Sequence, residues 1–194
     1  MTKKKHTVVI LLFEEVEVLD FAGPFEVFSV TAELSGYTLL DVVTVSKTGG
    51  VIRAKNGLRV IPDHSLELVQ HADILIIPGG DGSKAMIEDQ IVLDWIKKLS
   101  SNSQVTMSVC SGARILAKLG YLDGKEFATH QSVYEDVLQL THNGKAARDS
   151  RFVDLGQIMT AAGVAAGIDL SLHIVQKIFG KEVKERTAKY MEYQ

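Results

Sequence analysis

A chain of 194 residues with 46% hydrophobic and 23% charged side chains has globular composition and is long enough to bury a core without covalent staples. Its 21 Lys and Arg against 24 Asp and Glu leave a formal charge of −3, which excludes the basic footprint of a nucleic-acid binder. The single cysteine excludes an intrachain disulfide and a cysteine-rich zinc site. Lys3-Lys4-Lys5 precedes an apolar run, Val8 to Phe13, that is too short for a signal peptide or a membrane span. The expectation is a soluble, cytoplasmic protein folded as a single domain over residues 1–194.

Thr7 to Phe13 (TVVILLF) is β-branched and apolar throughout, as a strand buried on both faces requires. Pro24 to Leu34 reads as a helix with proline in its first turn and Gly36 just past its end. Tyr37 to Ser46 returns as a strand. Val51 to Ile61 reads as a hairpin, because Asn56-Gly57 between short apolar pieces suits a tight turn. Asp73 to Pro78 is a second buried strand, followed by Gly79-Gly80-Asp81-Gly82. Ile87, Ile91, Trp95 and Leu99 recur four apart and predict a helix over 87–99. Gln104 to Val109 is a strand and Ser111 to Leu119 a helix ending at Gly120. A helix over Ser132 to Leu140, two short strands within Phe152 to Thr160 and a helix over Ala165 to Phe179 complete the pattern, with a further helix open to the charged tail from Glu182. This alternation predicts an α/β fold with a mostly parallel sheet covered on both faces. Chemistry in such sheets collects at the carboxyl ends of the strands.

Ser108-Val109-Cys110-Ser111-Gly112 joins a buried strand to a helix with small residues on either side of the cysteine, the pattern of a nucleophile elbow. That geometry would lift Cys110 over the sheet, set its sulfur at a helix N-terminus that favours thiolate, and turn the Ser111 amide toward a developing anion. The alternative is a buried cysteine acting as a small hydrophobe. Gly80-x-Gly82-x-x-Ala85 imitates a dinucleotide fingerprint, but the next strand ends in Cys110 where an acidic residue should hold a ribose. The glycines are expected instead to bring bare amides to the Cys110 site as a further oxyanion donor, a plain turn being the alternative. Among Glu14, Glu15, Glu17 and Asp20, Asp20 stands apart because Leu19 and Phe21 flank it. It reads either as the N-cap of the following helix or as an acid of raised pKa beside Cys110. His6, His64, His71, His130, His142 and His173 show no metal-ligand spacing, so no metal site is expected. His130 could approach the sulfur or be a loop histidine satisfied by backbone. Cys110 and Asp20 are thus the candidate catalytic pair, and Gly80, Asp81, Ser111, Gly112 and His130 the candidate oxyanion- and substrate-binding set.

Four segments, 8–28, 72–82, 105–130 and 159–175, together resemble the ThiJ/PfpI branch of the class I glutamine amidotransferase-like superfamily. Leu19-Asp20-x-x-Gly23-Pro24 combined with Ser108-Val109-Cys110-Ser111-Gly112 is most similar to isocyanide hydratases, and also to the amidase-like sensor domains of AraC-type regulators. The resemblance implies a flavodoxin-like three-layer sandwich, a homodimer, Cys110 as nucleophile, and Asp20 where other branches carry Glu. It also implies that Ser111 matches the small hydroxyl residue after the cysteine in isocyanide hydratases, and that His130 matches a histidine near the cysteine in several branches. Ser111 stands where the protease-like and glyoxalase-like branches place His, and no His-x-Glu lies between Thr160 and His173 as in true amidotransferases. The residues are expected to leave none for a DNA-binding domain. The implied activity is hydration of an isocyanide to an N-substituted formamide, without cofactor, metal, nucleic acid or membrane. A stand-alone ligand or redox sensor built on Cys110 is the competing expectation.

Overall fold

The computed structural model describes residues 4–194, so Lys3 of the basic cluster lies outside the described residues. β1 (His6–Leu11) leads through α1 (Val18–Leu34) to β2 (Leu40–Ser46). A small hairpin, β3 (Ile52–Arg53) with β4 (Arg59–Val60), and the short β5 (His64–Ser65) precede β6 (Ile74–Ile77). Next come α2 (Ser83–Met86), α3 (Gln90–Ser100), β7 (Val105–Val109), α4 (Ala113–Lys118), β8 (Glu126–Phe127) and α5 (Tyr134–Leu140). β9 (Lys145–Ala146), β10 (Phe152–Asp154), β11 (Ile158–Ala161), α6 (Ala166–Phe179) and α7 (Lys181–Tyr190) close the chain.

Among the described residues the central sheet runs β10-β11-β7-β6-β1-β2-β5, parallel throughout except where β10 meets β11. Val9 is paired with Val43 on one side and Leu75 on the other, and Val8 to Ile10 and Ile74 to Ile77 have no exposed surface. Such strands must be apolar on both faces, because both are covered. The chain leaves β1 toward one edge of the sheet and β6 toward the other. Right-handed crossovers therefore put α1 and α3 on opposite faces, and α6 and α7 pack beside α1. The result is the mostly parallel, doubly covered α/β sheet that the alternation predicts, in the flavodoxin-like sandwich that the resemblance implies. Its functional consequence is the crevice between β1 and β6, where the crossovers diverge at the carboxyl ends of the strands.

Three local readings need correction. α1 starts at Val18 rather than Pro24, so Pro24 is interior and lacks the N–H that the Asp20 carbonyl would otherwise accept. α3 starts at Gln90, because the Asp89 side chain accepts the Ile91 and Val92 amides at 3.2 and 3.4 Å. The four-apart stripe drifts around such a helix, leaving Ile91 63% exposed while Val92, Trp95, Ile96 and Leu99 are buried. β2 begins at Leu40, since Gly36 and Tyr37 both take left-handed backbone before it. The hairpin at Asn56-Gly57 forms as read, both residues at positive φ.

Candidate active site

Three strand ends build the site, and the first is the end of β7. Cys110 adopts φ 55°, a left-handed conformation that costs strain for any residue other than glycine. The turn is held in place by backbone and hydroxyl bonds. The Cys110 amide donates to the Ala162 carbonyl at 3.1 Å, and the Thr129 hydroxyl donates to the Cys110 carbonyl at 2.7 Å. Gly112 allows close approach: a Cβ there would lie 2.3 Å from the Ile77 carbonyl oxygen. Its part is to let the elbow pack on β6, and it does not line the cavity over Cys110.

The second strand end, that of β1, carries Asp20. The N-cap of α1 is Glu17, which makes no side-chain capping bond, so Asp20 is not the cap. It lies in the first turn with no exposed surface, as its apolar neighbours suggest. Oδ2 accepts the Gly79 amide at 2.9 Å, whereas Oδ1 is buried without a partner of good hydrogen-bond geometry.

The third is the glycine turn after β6. It is tied to the β1 end by a Val16–Gly80 bridge and by the Glu17 amide donating to the Gly79 carbonyl at 2.9 Å. A Cβ at Gly79 would meet the Ser111 nitrogen at 2.5 Å and Asp20 Oδ2 at 2.8 Å, and Gly80 takes φ 117°. Only glycine fits here. The expectation of bare amides needs correction, however: Gly79 donates to Asp20, and Gly80 donates to Ser111 Oγ at 2.8 Å. The amides facing the sulfur belong instead to Ser111 and Val164. Asp81 is exposed at the rim, 3.5 Å from Lys55, which also approaches Glu17 at 3.6 Å. His130 Nδ1 accepts the Ser132 amide at 3.2 Å and lies 2.7 Å from the Ser132 hydroxyl. The ring packs against Gly163 and borders the same cavity as Cys110.

Electrostatics couple the acid to the thiol. Burial pushes the Asp20 carboxyl up to about 7, against the Gly79 amide, with the Glu17 charge adding to the rise and the thiol and Lys55 opposing it. Burial, followed by the Asp20 charge, pushes the Cys110 thiol up to about 12, while the Ser111 and Val164 amides pull the other way. The expected low-pKa thiolate is therefore corrected. α4 has only six residues, and a terminus this small does not outweigh desolvation plus a buried carboxylate. Above pH 7 the pair holds one proton on sulfur and a carboxylate able to take it. A free thiolate lies well uphill for such a pair, so proton transfer to the carboxylate is favourable only as the sulfur bonds to an electrophile.

A cavity of about 280 Å³ lies over Cys110, bordered by Ser111, Arg114, His130 and Val164, with Lys55 and Asp81 toward the rim. Asp20 does not line it and lies behind the elbow. Sequence reasoning missed Arg114, Val164 and Thr129. Arg114, four residues beyond Cys110, could have been found by helical spacing; the other two arrive from distant loops. Among the described residues, no three His, Cys, Asp or Glu side chains gather where they could hold a metal ion.

This architecture has counterparts among known proteins. Residues 6–177 match the DJ-1/PfpI family. The chain belongs to that family. Isonitrile hydratase of Pseudomonas putida is 30% identical over 184 residues, spanning 94% of this chain and 76% of that protein. Protein dj-1beta of Drosophila melanogaster is 27% identical over 166 residues, 84% of this chain and 87% of that one. Among solved structures, a ThiJ/PfpI family protein from Pseudomonas syringae superimposes with a TM-score of 0.87 at 24% identity, covering 100% of this chain and 77% of the other. Within the DJ-1/PfpI family, then, this chain combines the elbow cysteine with an aspartate beneath it and a serine after it. No helix of the described residues is long and apolar enough to cross a membrane.

Proposed function

We propose that the chain hydrates a small isocyanide to an N-substituted formamide, with Cys110 as nucleophile and Asp20 as the proton relay. The observation that carries this reading is the buried pair itself, one carboxyl with an unpartnered oxygen coupled to one strained thiol beneath a cavity. The Asp20 carboxylate takes the Cys110 proton as the sulfur bonds to the terminal isocyanide carbon, and the proton then passes to that same carbon. The product is a thioimidate on Cys110. Water adds to its carbon, the nitrogen gains a proton, and the carbon–sulfur bond breaks to release formamide and free thiol. The Ser111 and Val164 amides stabilise negative charge on the sulfur as it attacks and as it leaves. Resemblance to isonitrile hydratase supports the choice of electrophile, and the aspartate and serine positions add to it.

The same reading treats residues 1–194 as one domain working in the cytoplasm, where a lone thiol stays reduced. It also takes the chain to be a homodimer, with the outward face of α1 covered by a second copy. Leu19 and Phe25 are each 38% exposed on that face.

The test is formamide formation from a panel of alkyl and aryl isocyanides, followed by mass spectrometry on purified protein treated with a chelator. Wild type should give formamide, and Cys110→Ala should give none above the buffer rate. If wild type gives none across the panel while Cys110 oxidises to a stable sulfinate, the sensor reading replaces this one.

A further inference from the structure

Arg114 is 5% exposed, and its guanidinium bonds on two sides. Nη2 pairs with the half-exposed Asp136 carboxylate, while Nη1 donates to Ser83 Oγ at 3.0 Å. A guanidinium this deep is costly unless each side is used, and its planar fork sets directions that an ammonium would not. The Arg114 donor fills one acceptor position of the Ser83 hydroxyl, leaving its single proton to be aimed elsewhere. That proton goes to the Gly80 carbonyl at 2.7 Å, with Ser111 Oγ a more distant 3.3 Å. Ser111 Oγ closes the cluster by accepting the Gly80 amide at 2.8 Å and approaching the Gly80 carbonyl at 3.1 Å. The peptide units on either side of Gly80 are thereby held, and the amide immediately before them is the one that bonds Asp20 Oδ2. Side-chain packing cannot hold this turn in their place, because neither Gly79 nor Gly80 has room for a Cβ.

We propose that Arg114 is a positioning residue, which through Ser83 and Ser111 fixes the Gly79–Gly80 turn and so holds the Asp20 carboxyl against Cys110. The inference rests on the reading of Asp20 and Cys110 as the reacting pair. Arg114 touches neither of them. Its effect is conveyed through hydroxyl orientation, and loosening the turn would weaken the one hydrogen bond that favours ionised Asp20 over its acid form. The charged and titratable groups acting on Asp20 are Glu17 from its own helix, Lys55 from the hairpin turn and Cys110 from the elbow. None of them is altered by substitution at Ser83.

The experiment is a ¹³C NMR titration of the Asp20 side-chain carboxyl, assigned by its disappearance in Asp20→Asn. It is run on wild type, Arg114→Met, Ser83→Ala and the double variant. The midpoint should rise in both single variants, and the double should rise no further than the larger single, as two links of one chain require. With an isocyanide substrate, kcat of Ser83→Ala should fall while KM stays within about twofold, the pattern of a lost transition-state arrangement at a residue that does not line the cavity. Arg114→Lys should undo only part of the Arg114→Met shift, since an ammonium lacks the fork. Ser83→Ala changes no charge, so it separates positioning from the plain Coulombic effect of removing a cation, and it carries the test if Arg114→Met does not fold. A midpoint that moves in Arg114→Met but not in Ser83→Ala overturns the proposal and leaves the Cys110–Asp20 reading intact. Full formamide production by Asp20→Asn would overturn both.

Discussion

Two buried aspartates stand at opposite ends of the central sheet, and their surroundings differ in a way that separates chemistry from architecture. Asp73, 2% exposed at the start of β6, receives Lys4 at 2.6 Å, the Thr7 amide at 2.9 Å and His71 at 3.3 Å. Burial by itself would raise its carboxyl, but those partners hold it below its ordinary value. Asp20, fully buried beyond the end of β1, has one amide and no cation in contact, and its carboxyl is pushed up to about 7. One carboxylate is fully used to tie the first strand to its neighbour. The other is left short of partners, so that it holds a proton loosely near neutral pH. A buried group whose hydrogen bonds are not completed by the fold is a candidate for completing them with a reactant.

The largest effect should come from exchanging each aspartate for its amide. Asp20→Asn should lower formamide formation by about 10²- to 10⁴-fold, because an amide can neither take the thiol proton nor deliver it. Asp73→Asn should leave the rate per folded molecule unchanged. Equal losses in both variants, measured by mass spectrometry at matched folded concentration, would erase the distinction between the two carboxyls.

Stability against pH should separate them again, with opposite signs. Asp20 has a folded pKa near 7 against 3.8 unfolded, so the folded state binds more protons across that window. Its stabilising contribution is complete below about pH 4 and lost as pH rises through 7. Asp20→Asn should therefore melt above wild type at pH 8, by up to about 4 kcal/mol, and close to it at pH 4. Asp73 behaves in reverse, its folded pKa being depressed. Asp73→Asn should cost about 1–3 kcal/mol at pH 7, mostly through the Thr7 amide since Lys4 is largely exposed, and the deficit should shrink as acid protonates the wild-type carboxylate. Thermal unfolding of the three proteins across pH 2–8 tests both directions, the Asp20 difference opening above about pH 4 and the Asp73 deficit shrinking below it.

The two aspartates also show how far the sequence could be read. The runs Val8 to Phe13 and Asp73 to Pro78 announce doubly covered strands, and the residues after them announce the site. Asp20 could be singled out because apolar neighbours flank it, and Cys110 because small residues do. What could not be read was pairing across the fold. Nothing local distinguishes Asp20 with one amide from Asp73 with three partners, since those partners lie up to 69 positions away. The same blindness hid the commitment of the Gly79 and Gly80 amides, the arrival of Val164 at the sulfur, and the Arg114–Ser83 link. The thiol was misjudged for a related reason: a helix terminus is visible in a sequence, whereas the desolvation opposing it is a property of the packed core.

The smallest effects concern the rim charges, which sharpen the account of why Asp20 stays near 7. Glu17 raises it and Lys55 lowers it, while Lys55 is itself shared between Glu17 and Asp81. Glu17→Gln should move the acid limb of the pH–rate profile down, and Lys55→Met should move it up. The second shift has two sources acting together, the lost cation and a Glu17 carboxylate no longer neutralised beside it. Both groups are partly exposed, so each shift should be on the order of a few tenths of a pH unit and should shrink in about 0.5 M salt. Burial of Asp20 is the dominant cause of its rise and is insensitive to salt, so the wild-type limb should stay in place under the same conditions. A wild-type limb that falls toward ordinary carboxyl values in salt would mean that rim charge, and not the buried seat beneath Cys110, sets the acid.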